Sequence, residues 1–424
     1  MISYEEACEI VFSATKFGIC LGLERMEAIL TELDHPERKI PAIHIAGTNG
    51  KGSTLTYLKS ILREAGYNVG TYTSPAIRSI NDKIQFNNSD ISNQDFALMI
   101  EQLKPISEKL AGTSIGPPTE FELLTAVAFQ YFATITHPDI ILIETGLGGR
   151  LDSTNVITPL VSIITNIGHD HMDILGDTIA AVAREKAGII KQRVAIVSGC
   201  KQDESIFVLK EQATEKNAQL YQLGEDFFCE QAANTFTFDY QQIHYSNLKS
   251  GMLGKHQQEN ACLAIMALNC LAKEYPIDNQ AIRNGLAKAK IANRIEIIQQ
   301  KPVIIFDGGH NLEGMQALAD TLTSTYPNKQ IYVLFCAMKD KDIKGMLAPL
   351  AEVAKEIILT SFPFNRVMDP HQVYETYPLR NSKVIENATE AYSYRLKQLS
   401  DNDIFVITGS LYFLTYLREF VLKR

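Results

Sequence analysis

IHIAGTNGKGST, residues 43–54, decides how this chain is read. An apolar strand, Ala42–Ala46, runs into Gly47, Thr48, Asn49, Gly50, Lys51, Gly52 and Ser53. Beyond them Leu55, Leu58, Ile61, Leu62 and Ala65 recur on one helical face. Strand, glycine-rich turn and amphipathic helix, in that order, are the context a phosphate-binding loop requires. The glycines tolerate positive φ, so backbone N–H groups can converge on an anion. The helix N-terminus adds its partial positive charge, and Lys51 can reach the outer phosphates. The common form of the loop has Ser or Thr directly after Gly-Lys, whereas here Gly52 holds that place and the hydroxyl moves to Ser53. A glycine-rich strand–helix turn without phosphate is the alternative.

Outward from this loop the same alternation repeats. Asp139–Glu144, Val161–Asn166 and Val194–Ser198 read as buried strands, and Thr119 with Glu122 has capping-box spacing ahead of a helix over 123–132. Aromatic and aliphatic residues alternate at Phe236, Phe238, Tyr240, Ile243 and Tyr245, which predicts antiparallel strands, and a helix over 258–273 follows. The α/β pattern then resumes with PVIIFDG (302–308), a helix from Asn311, QIYVLFCA (330–337), EIILTS (356–361) and DIFVITGS (403–410). The expected architecture is a P-loop-type, mainly parallel ATPase domain at 1–297 and a smaller Rossmann-like α/β domain at 298–424.

The 424 residues suit two or three domains at roughly 150 residues each. A net charge of −9 argues against a nucleic-acid partner and leaves room for a local basic pocket. No basic leader opens the sequence, and no run of about 18 apolar residues occurs. The seven cysteines are scattered without a CxxC pair, as in reduced proteins of the cytoplasm. A cytoplasmic monomer with small-molecule substrates, no nucleic acid and no membrane partner is expected.

GTNGKGS resembles the ATP loop of the Mur ligase superfamily, whose members join an amino acid to a carboxylate. Only 46 residues precede Gly47, too few for the UDP-sugar domain of the peptidoglycan branch. The short-headed branch is the folylpolyglutamate synthase/dihydrofolate synthase family. YTSPAIRSINDKI (72–84), TEFELLTA (119–126), ETGLGGRLDSTNVI (144–157), NIGHDHMDILG (166–176), EKAGIIK (185–191), RIEII (294–298) and DGGHN (307–311) resemble that family, in its order.

The resemblance implies an ATP-dependent amide ligase. ATP phosphorylates a carboxylate, glutamate's amine attacks the acyl phosphate, and phosphate leaves; charge around the transferring group must be neutralised. It implies Mg²⁺, at two sites, on Ser74, Glu144 and His171. Read without it, Glu144 is also an ordinary strand-end acid. Likewise His169-Asp170-His171 is also a zinc or manganese pair, or solvated loop histidines. GLGGRLD (146–152) fails the dinucleotide fingerprint, since Leu151 stands where a glycine belongs. The family places this loop at the pterin, with Asp152 on the ring edge and Phe121 in the pocket wall. Arg78 and Lys83 are candidates for the substrate's carboxylates. Asn260, Arg294 and Asp307 match nucleotide contacts, and His310 lies where glutamate is used, or is a structural histidine; the site is expected to straddle the domain junction. Lys186 matches a carbamylated lysine of the family, against a plain reading as a solvated helix residue. Catalysis is thus expected from Lys51, Lys186, His171 and His310. The GGRLD stretch favours both activities, dihydrofolate formation and tail extension, over polyglutamylation alone. A related ligase on another carboxylate and an ATP-dependent switch remain open.

Overall fold

The structure, a computed structural model, describes residues 2–232 and 235–422. They divide into two compact units. The first holds the chain through Glu230 with Phe236–Lys249 and Glu259–Ala289; the second holds Ser250–Gln258 and the chain from Lys290, with Gln231 and Thr235.

The first unit is built on eight strands: β1 (Ala42–Ala46), β2 (Val69–Tyr72), β3 (Ile84–Phe86), β4 (Ser89–Asp90), β5 (Ile140–Glu144), β6 (Val161–Ile164), β7 (Ala195–Ser198) and β8 (Leu220–Gln222). Their order is β4-β3-β2-β5-β1-β6-β7-β8. Six run parallel, and β3 and β4 form an antiparallel edge. From β1 the chain moves to β2 on one side, while β6 continues to β7 on the other. That reversal opens a crevice at the carboxyl end of β1, where ligands of open α/β sheets bind. All residues of β1 and β5 are buried, because helices cover both faces. Ala42, Ile141 and Ile143 share a core with Phe96, Leu124 and Phe129. Ile164 and Ile196 pack with Val182 and Leu209 in a second core. Each such Ile or Leu stabilises the fold by roughly 1.5–3 kcal/mol.

The capping box at Thr119 forms as its spacing predicts. Thr119 N–H donates to Glu122 Oε2 at 2.8 Å, Glu122 N–H donates to Thr119 Oγ1 at 3.3 Å, and the helix runs Glu120–Tyr131. β9 (Phe228–Gln231), β10 (Phe236–Tyr240) and β11 (Ile243–Leu248) form a three-stranded sheet, with β10 and β11 antiparallel as the aromatic alternation expects. The helix expected at 258–273 runs Lys255–Cys270.

The second unit has β12 (Glu296–Gln300), β13 (Val303–Asp307), β14 (Gln330–Phe335), β15 (Glu356–Ser361), β16 (Ser382–Asn387) and β17 (Asp403–Thr408), in the order β12-β13-β17-β14-β15-β16. Only β12 pairs antiparallel. Alternate residues enter opposite cores. Ile305, Val333, Phe335 and Val406 meet Met315, Leu318 and Leu322 on one face. Ile304, Phe306, Leu334 and Phe405 meet Phe413, Leu414 and Leu417 on the other. Burial of both faces is why these strands read as unbroken apolar runs.

Candidate functional site

The loop between β1 and the helix Lys51–Glu64 is fixed from below by the end of β6. Thr48 N–H donates to Asn166 O at 3.1 Å, and Asn49 N–H donates to Asn166 Oδ1 at 2.8 Å. Thr165 Oγ1 donates to Asn49 O at 2.5 Å, and Thr48 Oγ1 donates to Gly168 O at 3.2 Å. Two glycines are required sterically. A Cβ on Gly47 would stand 1.9 Å from Thr165 Oγ1; one on Gly50, whose φ is +83°, would stand 2.5 Å from Asn260 Oδ1. Gly50 is the N-cap of the following helix and provides no side-chain cap, so that helix end keeps donors for an anion. Lys51 folds back, donating from Nζ to Gly47 O at 2.9 Å and to Thr48 O at 3.4 Å. Ser53 and Thr54 are buried.

Glu144 ends β5 beside Ile45 of β1 and is buried. Ser74 N–H donates to its Oε2 at 3.4 Å, so the structure brings Ser74 and Glu144 together. His171 lies in the left-handed region (φ +52°) ahead of the short helix Met172–Leu175, with a half-exposed ring, and its amide donates to Asp170 Oδ1 at 3.0 Å. Among the described residues no three His, Cys, Asp or Glu side chains gather as a metal cage. The donor set suits a hard cation that keeps most of its waters and takes one carboxylate and hydroxyl oxygens.

Lys186, on the helix Ile179–Ala187, is buried. Burial pushes its pKa down to about 7, and the charge of Lys51 adds to the shift. Asp170, Asp152 and Cys200 pull the other way. The sequence could show this lysine's motif but not its burial.

Asp152 is buried and tied to its own loop. Oδ2 accepts from Leu147 N–H at 2.7 Å, and Oδ1 accepts from Thr154 N–H at 3.0 Å and Thr154 Oγ1 at 2.5 Å. Burial raises its pKa; these bonds and the Gly146 amide oppose the rise. Phe121 lies 5.9 Å from Tyr72, ring centre to ring centre, and so close to Gly146 that a Cβ there would meet its Cζ at 2.6 Å. The Phe121 ring and the Asp152 loop thus touch through Gly146. Arg78 is 66% exposed in its side chain, donates to Asp90 at 3.0 Å and lies 3.8 Å from Asp82. Lys83 is buried and faces Glu120 at 3.4 Å.

In the second unit Asp307, at the end of β13, points back into its own turn. Oδ2 accepts from Ile295 N–H at 3.0 Å and Oδ1 from Gly309 N–H at 2.9 Å. Burial raises its pKa; Arg294, the two amides and His310 oppose the rise. Arg294 Nη1 and His310 Nδ1 both donate to Gly308 O, at 3.1 and 3.0 Å. Arg294, Asp307 and His310 therefore form one cluster around the DGGHN turn. Asn260 belongs to the first unit, against Gly50.

Sequence reading passed over Thr165 and Asn166, which hold the loop from below, although NIGHDH begins with one of them. It also passed over His44, hidden in an apolar strand, and Thr154.

The Mur ligase middle domain family matches residues 107–268, and the Mur ligase glutamate ligase domain family matches residues 293–411. The chain is 41% identical to dihydrofolate synthase/folylpolyglutamate synthase of Bacillus subtilis, over 98% of this chain and 99% of that protein. It is 32% identical to folylpolyglutamate synthase of Lacticaseibacillus casei, over 99% of both. Among solved structures, E. coli FolC in complex with DHPP and ADP matches with a TM-score of 0.90 at 27% identity, over 100% of both chains.

Proposed function

Because the chain belongs to the dihydrofolate synthase/folylpolyglutamate synthase family of Mur ligases, we propose that it joins L-glutamate to dihydropteroate and also extends the tail of tetrahydrofolate. The chain is an ATP-dependent acid–amino-acid ligase acting on folates. ATP phosphorylates the substrate carboxylate, and glutamate's nitrogen attacks the acyl carbon. The C–N bond forms, the C–O bond to phosphate breaks, and the ammonium-derived protons pass to solvent.

The observation that carries this reading is the uncapped helix end after β1, with Lys51 as its first residue and buried Glu144 on the neighbouring strand. Lys51, now on its own loop's carbonyls, exchanges them for phosphate oxygens when nucleotide arrives. Its charge and the helix-end amides of Gly50 to Ser53, beyond the Thr48 and Asn49 amides that Asn166 takes, stabilise the transferring phosphoryl group. Glu144, Ser74 and His171 would hold Mg²⁺, at two sites, which when bound neutralises phosphate charge. Asn260, Arg294 and Asp307 would orient the nucleotide, and His310 would receive glutamate. Phe121 and Asp152 would line the pterin site, with Arg78 and Lys83 toward the substrate's carboxylates.

Lys186 is assigned as a carbamate. Its neutral nitrogen attacks CO₂; the N–C bond forms, one C=O electron pair moves to oxygen, and a proton leaves nitrogen for solvent. Burial and the displaced pKa support this, since carbamylation needs an uncharged amine. Lys186→Ala should lose most turnover, with partial rescue by acetate; full turnover in CO₂-free buffer would remove the assignment. A monomer in the cytoplasm is part of the same reading. The seven cysteines are free, and among the described residues no helix is long and apolar enough to cross a membrane.

The test is ADP release by purified protein with glutamate and either dihydropteroate or tetrahydrofolate. Glutamate-dependent release with both is expected. Release with tetrahydrofolate alone would restrict the enzyme to polyglutamylation, and release indifferent to glutamate would favour a switch.

A further inference from the structure

His44 stands in the middle of β1, the central strand, in register with Ile143 of β5 and Ser162 of β6. It is 0% exposed, at a place where an aliphatic side chain would leave no polar atom to satisfy. One ring nitrogen has a partner: Nε2 lies 2.8 Å from Thr154 Oγ1. The other, Nδ1, has none among the described residues. A buried nitrogen without a partner destabilises a fold, so the position is poorly explained by packing.

The proton positions follow from the neighbours. Thr154 Oγ1 is 2.5 Å from Asp152 Oδ1. An ionised carboxylate only accepts, so the single hydroxyl proton points to Asp152. The hydroxyl then has only lone pairs left for His44, and Nε2 must carry the proton it shares. Nδ1 is consequently the bare nitrogen, and it is the atom left without a partner. Burial and the nearby Lys191 charge hold the ring neutral, consistent with a single N–H. Lys191 also pins the same turn, donating from Nζ to Asn155 O at 2.8 Å.

We propose that His44 is a positioning residue for pterin recognition: through Thr154 it fixes the direction of the Asp152 carboxylate, so that the acceptor edge meets the substrate already oriented. The chain of donation runs His44 Nε2–H to Thr154 Oγ1, then Thr154 Oγ1–H to Asp152 Oδ1. It starts on a central, fully buried strand of the sheet and ends in the loop that Gly146 and Phe121 shape. This rests on the reading of Asp152 as a pterin contact, and it adds the residue that holds that contact in place.

Four variants test it: His44→Leu, His44→Gln, Thr154→Val and Asp152→Asn, each with Michaelis constants for dihydropteroate and for ATP and with thermal melts. His44→Leu and Thr154→Val should raise the dihydropteroate KM about tenfold, as expected for one lost hydrogen bond, with the ATP KM unchanged. His44→Gln keeps an amide donor near the place of Nε2 and should recover most of the loss. Should Thr154→Val fail to fold, Thr154→Ser, which retains the hydroxyl, should keep the parent's dihydropteroate KM, and a tenfold rise there would count against the proposal. If Asp152→Asn raises the dihydropteroate KM while His44→Leu and Thr154→Val do not, the positioning role is wrong and Asp152 keeps its own. If Asp152→Asn leaves that KM unchanged, the Asp152 reading falls and the proposal falls with it. Equal losses for ATP and dihydropteroate, without recovery in His44→Gln, would reduce His44 to a structural residue and overturn the proposal.

Discussion

At the end of β1 the chain takes residues 47–50 to enter the helix Lys51–Glu64; at the end of β13 it takes residues 308–311 to enter the helix Leu312–Thr325. Both turns carry glycines at the carboxyl end of a parallel strand. In the first, Gly50 offers no side-chain cap, so the helix end keeps its donors and the first helical residue is a lysine. In the second, Asn311 accepts from Gly314 N–H at 2.9 Å, so that end is closed by the chain itself. The strand-end carboxylate Asp307 closes the turn further by taking two amides. One local figure is left open for an anion; the other is self-satisfied and presents Arg294 and His310 around Gly308 O. On the function proposed above, phosphate goes to the first, and the second holds side chains around its own carbonyl.

Removing the charge from the open turn gives the largest expected effect. Lys51→Ala should lower turnover by about 10³-fold, the scale of one preorganised donor at a developing charge, with circular dichroism unchanged. Wild-type turnover would contradict the assignment of phosphate to this end.

Breaking the closed turn should cost stability. Asp307→Ala leaves the buried amides of Ile295 and Gly309 without an acceptor, a loss of about 3 kcal/mol by urea unfolding. The pH dependence has a definite sign. The folded-state pKa of Asp307 is raised, with burial the largest cause, so its contribution is most favourable below the unfolded carboxyl pKa and is lost as pH rises through the folded one. Asp307→Asn is neutral throughout. The melting temperature of the parent should therefore fall relative to that of Asp307→Asn as the pH rises above the ordinary carboxyl pKa; parallel curves would show an unshifted carboxyl.

Sequence alone showed the open turn well. Ala42–Ala46 is a strand with those same limits, and the capping box at Thr119 forms, because apolar periodicity and cap chemistry are local. It showed the sheet less well. Val69–Tyr72 is β2, between β3 and β5, yet its four residues include Gly70, where a Cβ would meet Phe132 and Ile141 at 2.9 Å. Such a strand is specified by its neighbours and not by its own pattern. β12 and β16 are mixed edge strands and equally faint. At the site, motifs gave residue identities but not what each side chain touches. Asp152 is bonded to its own loop and Arg78 is paired with Asp90, contacts set by loop conformation, while Lys186 is buried by packing; no short motif records either. His44 was invisible for a related reason, since one polar residue inside an apolar strand leaves no periodic trace.

Closing the open turn partway should have an intermediate effect. Gly50→Ala puts a Cβ against buried Asn260 at φ +83°, strain of about 1–2 kcal/mol. The loop should shift to relieve it, raising the ATP KM more than that of glutamate. Equal changes in both would mean the strain is dissipated outside the loop.

The smallest effect tests the other side of the comparison. Asn311→Ala removes the cap of the helix Leu312–Thr325 and leaves Gly314 N–H without its side-chain acceptor. Losing an Asn cap lowers stability by about 1 kcal/mol. If the closed turn takes no phosphate, freeing its helix end should not create a second anion site. Nucleotide affinity, measured by calorimetry, should stay within about twofold of the parent, less than one hydrogen bond's worth. A gain in phosphate or nucleotide affinity would show that the cap was all that separated the two turns, and that Asp307 adds little to their difference. An unchanged affinity with lowered stability would place the difference in the strand-end carboxylate, which takes the Ile295 and Gly309 amides whether or not the cap is present.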